Sequence, residues 1–278
     1  MDRLAAFQHI AAQASRGELT FPSNVSASIK LQQALNDPDC HSEAAVKLIQ
    51  ADPLLSARAV AIANSVAYNR SGNEITNVRS AVQRLGVRTL QSLVAALIVR
   101  QIGSQISDPV LQAKASALWQ HTAHVAALAQ VIARRVTRVD PDTALFAGIV
   151  HEVAGFYMLS QAGAYPGIMD GEPEDWVEHG EVAIGRGVFA KLVIPEAVQA
   201  SVEALWHGMR ALPPETLGDT LLLANDLAPI PSPLHERPGA TTPQAARTID
   251  FVVGEGTLHD IMAESADEVK SLFAVLML

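Results

Sequence analysis

Residues 143–159 read TALFAGIVHEVAGFYML, an apolar run that holds His151 and Glu152 side by side at its middle. An imidazole and a carboxylate are costly in such a setting unless each is partnered. The partners that satisfy both are a metal ion or hydrogen bonders from neighbouring elements. Where the rest of the chain finds those partners decides the architecture.

At 278 residues the chain can bury a sizeable core, as one elongated domain or two closely packed subdomains. Hydrophobic residues make up 49% and aromatic ones only 5%, so the core is built from Ala, Leu, Val and Ile, the composition of close-packed helices. The single cysteine, Cys40, has no partner for a disulfide or a zinc knuckle, which points to a reducing, cytoplasmic setting. The first residues do not have the pattern of a signal peptide, and no run reaches the ~18 uninterrupted apolar residues of a membrane span. Charge is divided unevenly. Residues 1–139 carry 14 basic and 8 acidic side chains, residues 140–278 carry 6 and 21, and no acid lies between Glu74 and Asp108, where Arg79, Arg84, Arg88 and Arg100 fall.

Helix boundaries are marked by Asp-Pro pairs. Asp52-Pro53, Asp108-Pro109 and Asp140-Pro141 each set an N-cap carboxylate before a proline whose missing N–H costs nothing in a first turn. Upstream, 2–15, 24–36 and 42–50 read as helices. The segment after Pro53, LLSARAVAIANSV, is apolar or small on nearly every face, as suits a helix inside a bundle. Thr76 is placed to cap the next helix, which Gly86 ends before a second begins. Long helices are predicted from Pro109 to about Arg138 and from Pro141 to about Gln161, with further ones from Pro173 and Pro195. PIPSPLHERPGATTP, 229–243, is a loop by its prolines, and terminal helices follow, ending in an apolar tail that should dock on the body. The expectation is an all-α bundle of about a dozen helices: an N-terminal subdomain over 1–107, a second over 108–228, and a loop with packing helices over 229–278.

Several histidines lie on these helices: His121 and His124 in WQHTAHVAALA, His151, His179 in WVEHGEVAIG and His207 in ALWHG. Each alone is more often a satisfied helix histidine than a ligand. Together, a histidine followed about thirty residues later by a His-carboxylate doublet and then by further histidines resembles the metal phosphohydrolases of the HD superfamily. There, imidazoles and carboxylates hold divalent ions that polarise a phosphoryl group and generate hydroxide. The wider sequence resembles the HDOD family of bacterial signalling modules, relatives of the HD and HD-GYP enzymes. The stretch from LTFPSNV through NDPDC and ADPLLSARAVAIANSVAYN resembles the family's opening pattern. ITNVRSAVQRLGVRTLQSLVAAL resembles its next element, and ALWQHTAHVAALA with TALFAGIVHEVAGFYML resembles its degenerate HD half. The similarity covers roughly 18–230.

The resemblance implies site residues. His121 falls at the first metal-ligand histidine, His151 and Glu152 at the His-Asp doublet, His179 and His207 at further ligand histidines, and Asn225 at the last ligand aspartate, with Asp226 an alternative if the register slips by one. Two of these depart from the enzymatic pattern. Glu152 adds a methylene and displaces its carboxylate by about 1.5 Å where ligand distances are held to about 0.2 Å. Asn225 removes a charge from a hard-cation site. No Gly-Tyr-Pro motif follows the doublet; Ala164-Tyr165-Pro166 sits too close to it. A working dimetal centre is therefore not expected, and at most a single zinc-like divalent ion is.

The function these features predict is a non-catalytic signal-transduction module that binds a small ligand or a protein partner such as a response regulator, a GGDEF protein or a kinase component. Its ligand cleft would lie between the two subdomains, where pockets concentrate. A metal-dependent phosphohydrolase or cyclic-dinucleotide phosphodiesterase is the second reading. Nucleic-acid binding through Arg79, Arg84 and Arg88 is the third, with the overall pI near 5.4 against it.

Overall fold

The computed structural model describes residues 2–104, 106–234 and 257–278, and its regular elements there are all helices. α1 (Arg3–Ser15) is capped by Asp2, whose side chain accepts from the Ala5 amide. α2 (Ser23–Asn36), α3 (Ser42–Gln50) and α4 (Pro53–Ala63) follow, with Asp52 accepting from the Leu54 and Leu55 amides. α5 (Val78–Gly103) is capped by Asn77 and not by Thr76: the Asn77 side-chain oxygen accepts from the Ser80 N–H. Inside α5, Gly86 has φ 73° and ψ 169°, so two helical stretches meet there at a backbone angle that a side chain would strain.

α6 (Pro109–Ile132), which ends in a π-helical turn over Ala133–Thr137, and α7 (Pro141–Val150) open on Asp108 and Asp140 as the Asp-Pro pairs predict. The single helix predicted from Pro141 to Gln161 is instead two, because α7 stops at Val150 and α8 (Val153–Gln161) begins beyond the His151-Glu152 doublet. α9 (Pro173–Trp176) continues through a π-helical turn, Val177–Glu181, into α10 (Val182–Leu192). α11 (Glu196–Trp206), α12 (Leu217–Leu227), α13 (Thr257–Glu264) and α14 (Ala266–Met277) complete the described elements. The proline-rich loop is irregular as far as Leu234, and the rest of it lies outside the described residues.

The most extensive packing is between α6 and α7. α5 covers α7 and α8 on one side, with α2, α3 and α4 behind it, while α12 and α14 pack on α6. Two helical stretches, Val78–Gly103 and Pro141–Gln161, are long and apolar enough to cross a membrane by length and composition alone. In the fold their apolar windows are 67% and 89% buried, which makes them core helices. The apolar tail docks as predicted: Phe273 of α14 stacks on His124 of α6 at 3.9 Å between ring centroids, and Ser271 accepts from the Val66 amide at 3.1 Å.

Polar side chains tie the two halves together. The Tyr68 hydroxyl, just past α4, donates to Asp142 of α7 at 2.8 Å and accepts from Gln130 of α6 at 2.6 Å, with Thr89 of α5 at 3.3 Å. Burial, and then the Asp142 charge, raises the pKa of Tyr68 above its ordinary value, so it stays a neutral donor. α1 packs on α10 and the Val177–Glu181 turn. Phe7 lies 6.0 Å from Trp176, and Arg3 donates to the Ile168 and Glu172 carbonyls. The charge division is resolved in the same way, through Arg3–Asp175, Arg88–Asp140, Arg134–Glu268 and Arg135–Glu264.

At the start of α12, Thr216 and Asp219 form a reciprocal capping box, and the buried Asp219 carboxylate also accepts from the amides of Ala211 and Glu215. Burial pushes its carboxyl up, but these hydrogen bonds outweigh burial and hold it below the ordinary aspartate range. A depressed folded-state pKa contributes stability that is present above the unfolded value and lost as pH falls through the folded one. Asp219→Asn should therefore cost about 1–3 kcal/mol at pH 7 and flatten the loss of stability between about pH 5 and 2. Urea unfolding of both proteins across that range tests this; parallel curves would contradict it.

Candidate functional site

The doublet sits where α7 breaks. His151 caps the C-terminus of α7 and donates from Nδ1 to the Gly148 carbonyl at 2.6 Å, the carbonyl that an uninterrupted helix would offer to the Glu152 N–H. Its ring is thereby fixed against the helix end, and Glu152 starts the next helix. On α6, His121 donates from Nδ1 to the Ile230 carbonyl at 2.8 Å. A carbonyl oxygen only accepts, so both imidazoles carry their proton on Nδ1.

The consequence is at the other nitrogens. His121 Nε2 and His151 Nε2 face each other at 3.3 Å, and with both Nδ1 atoms protonated each directs a lone pair toward the other. A cation held between them, a proton or a metal ion, makes that approach favourable. Glu152 Oε1 lies 4.0 Å from His151 Nε2, and all three residues are 1% exposed. Among the described residues these three form the one group of His, Cys, Asp or Glu side chains close enough together to share an ion.

The arrangement fits one ion. Two nitrogens, each about 2.0–2.1 Å from a zinc ion, stand roughly 3.3 Å apart at the tetrahedral angle. Each ring donates its second N–H to a backbone carbonyl, the outer-shell pattern that orients ligating histidines. The Glu152 carboxylate is wider than a third ligand needs and has to swing inward.

Of the other predicted ligands, His179 and His207 are not in that group. His179 lies in the Val177–Glu181 turn, a third exposed, with Nε2 3.9 Å from Glu178. His207 is exposed at the end of α11. Asn225 is on α12, its Oδ1 buried without a hydrogen-bond partner among the described residues, and neighbouring Asp226 is engaged by Arg210.

The residues 21–168 match the HDOD domain family, and they are more than half of the chain. The chain belongs to the HDOD family. A "Putative metal-dependent phosphohydrolase" from Shewanella amazonensis SB2B is 19% identical over 99% of this chain and 100% of its own, with TM-score 0.72. An HDOD domain protein of unknown function from Geobacter sulfurreducens is 18% identical over 98% of both chains, TM-score 0.62. A "Putative signal transduction protein" from Marinobacter aquaeolei VT8 is 18% identical over 100% of this chain and 67% of its own, TM-score 0.60. At these identities the likeness is one of fold. A search among curated proteins returned no match.

In this HDOD chain the basic stretch of α5 is occupied with structural work. Arg79 pairs with Glu43, Arg88 with Asp140 at 2.9 Å, and Arg84 donates to the Ala63 and Asn73 carbonyls.

Two contributors to the site were hidden from the sequence. One is Ile230, which acts through its carbonyl and so leaves no trace in residue type. The other is Gly148, where a Cβ would lie 2.5 Å from the Ala126 Cα. That contact lets α6 and α7 approach closely enough for the two rings to meet. Gly148→Ala should destabilise the fold by about 1–3 kcal/mol, lowering Tm by roughly 2–12 °C, and separate the imidazoles. Calorimetry checks the first effect; an unchanged Tm would show that the helices can shift freely.

Proposed function

We propose that this chain is a non-catalytic module of bacterial signal transduction, acting in the cytoplasm by binding a protein partner or a small ligand, with its HD site retained as a structural element. The observation that carries the reading is the cover on that site. Ile230 accepts from His121, and buried Leu234 packs where a Cβ on Gly155 would be, beside Glu152. With all three donor residues 1% exposed, a phosphodiester has no approach from that side. Glu152 in place of aspartate and the displacement of His179 and His207 support the same reading. In a kinetic test, bis(p-nitrophenyl) phosphate and a cyclic dinucleotide are offered with manganese, magnesium or zinc to wild type and His151→Ala. The expected result is no turnover above the variant. Turnover that depends on His151 would establish the phosphodiesterase reading instead.

The converging Nε2 atoms favour a second feature of the same reading, a single divalent ion held by His121, His151 and Glu152. Such an ion would lend a Lewis acid to an enzyme; here it would join α6 to the α7–α8 break. Protein purified without added metal should contain near-stoichiometric zinc by inductively coupled plasma mass spectrometry, and His151→Ala should lose it. Equal, trace metal in both proteins would leave a shared proton as the cation between the rings.

A further inference from the structure

A second polar site lies apart from the doublet, where α4 and α5 of the first half meet α6 and α8 of the second beneath Met277 of α14. It is a cleft of about 500 Å³ with no acidic residue in its lining among the described residues. Arg58 of α4 projects into it while only 6% exposed, and among the described residues it has no hydrogen-bond or ion-pair partner. Arg100 of α5 lies in the same wall, over the Trp119 ring at 5.8 Å, with a 3.4 Å hydrogen bond to the Met277 carbonyl. Trp119 Nε1 and Gln101 Oε1, also in the lining, are buried without partners among the described residues.

A buried guanidinium that no carboxylate pairs with is among the costlier arrangements a core can hold. Burial, then the Arg100 charge, lowers the Arg58 pKa, with Asp52 pulling the other way; burial lowers that of Arg100 as well. Two cations facing one cleft, with an indole N–H beside them, provide donors and no anion. Guanidinium forks match the oxygens of a carboxylate or phosphate, and Leu97 and Phe156 add an apolar wall.

We infer that this cleft binds a small organic oxyanion, a carboxylate or phosphate on an apolar body, clamped by Arg58 and Arg100 at the junction of the two halves. This deepens the small-ligand half of the proposed function and rests on that reading. Because binding is read directly and no signalling output is measured, failure here leaves the protein-partner reading standing.

The test is isothermal titration of the full chain with phenyl phosphate, benzoate and, as the uncharged control, benzyl alcohol, on wild type, Arg58→Gln and Arg100→Gln. The expected result is that at least one anion binds wild type and binds each variant about tenfold or more weakly, while the alcohol does not bind. Which anion binds separates phosphate from carboxylate. Arg58→Gln should also keep its helical circular dichroism and a Tm no lower than wild type, because the substitution removes an unpartnered charge. No binding of either anion, equal binding of the alcohol, unchanged affinity in both variants, or a fall of several degrees in the Tm of Arg58→Gln would overturn the inference.

Discussion

The approach of α6 to α7 at Ala126 and Gly148 is the constraint on which the rest depends. A glycine on one helix and an alanine on the other leave no side chain of any length between the backbones, so the helices close to contact distance. One turn away, that closeness delivers His121 to His151 and forces two Nε2 atoms to 3.3 Å. The same packing buries α7 from Ala144 to Val150, and burial is why the two imidazoles cannot stay hydrated: the His151 proton goes to Gly148, where the helix breaks, and the His121 proton goes to Ile230, which holds the 229–234 segment on the bundle.

The two halves are joined by polar groups as well as by apolar packing. Tyr68 sits at the end of the Ala-Asn-Ser stretch, and its hydroxyl reaches Gln130 and Asp142 on two helices of the other half. Hydrogen bonds of this kind are directional, so they select one register of the halves where close-packed Ala, Leu and Val would tolerate several. The salt bridges across the charge division lie mostly at the surface and contribute little each. Tyr68 makes such bonds between the halves, while within the first half Asn64 clasps the Ile75 backbone through its N–H and C=O.

Much of the fold was legible because its signals are local. An aspartate before a proline satisfies first-turn amides whatever lies around it, and all three such pairs open helices. Gly86 ends a helix by its own conformational freedom. The doublet and His121 were legible as a site because ionisable groups in an apolar run have few explanations. What the sequence concealed is non-local. Whether His179 and His207 reach the doublet depends on how α9 to α11 pack, and in the fold α1 takes up much of α10's packing. The α7–α8 break was concealed because no proline or Asp-Pro pair marks it, and what interrupts the helix is the capture of the Gly148 carbonyl by the His151 side chain. Ile230 acts through its backbone, which no residue type encodes.

The doublet and the arginine cleft are opposite solutions to one problem, the placing of charge inside an alanine- and leucine-rich bundle. At the doublet the polar atoms are turned toward each other and toward carbonyls of the chain, so the site is closed on itself. At Arg58 and Arg100 the like charges face a space that the described chain leaves without an anion. A core gains nothing from that arrangement, since an aliphatic side chain at 58 would pack without the desolvation penalty. The cleft also lies between the two halves, so an anion held there would touch α4, α5 and α6 at once, and its binding energy would act on how the halves sit together.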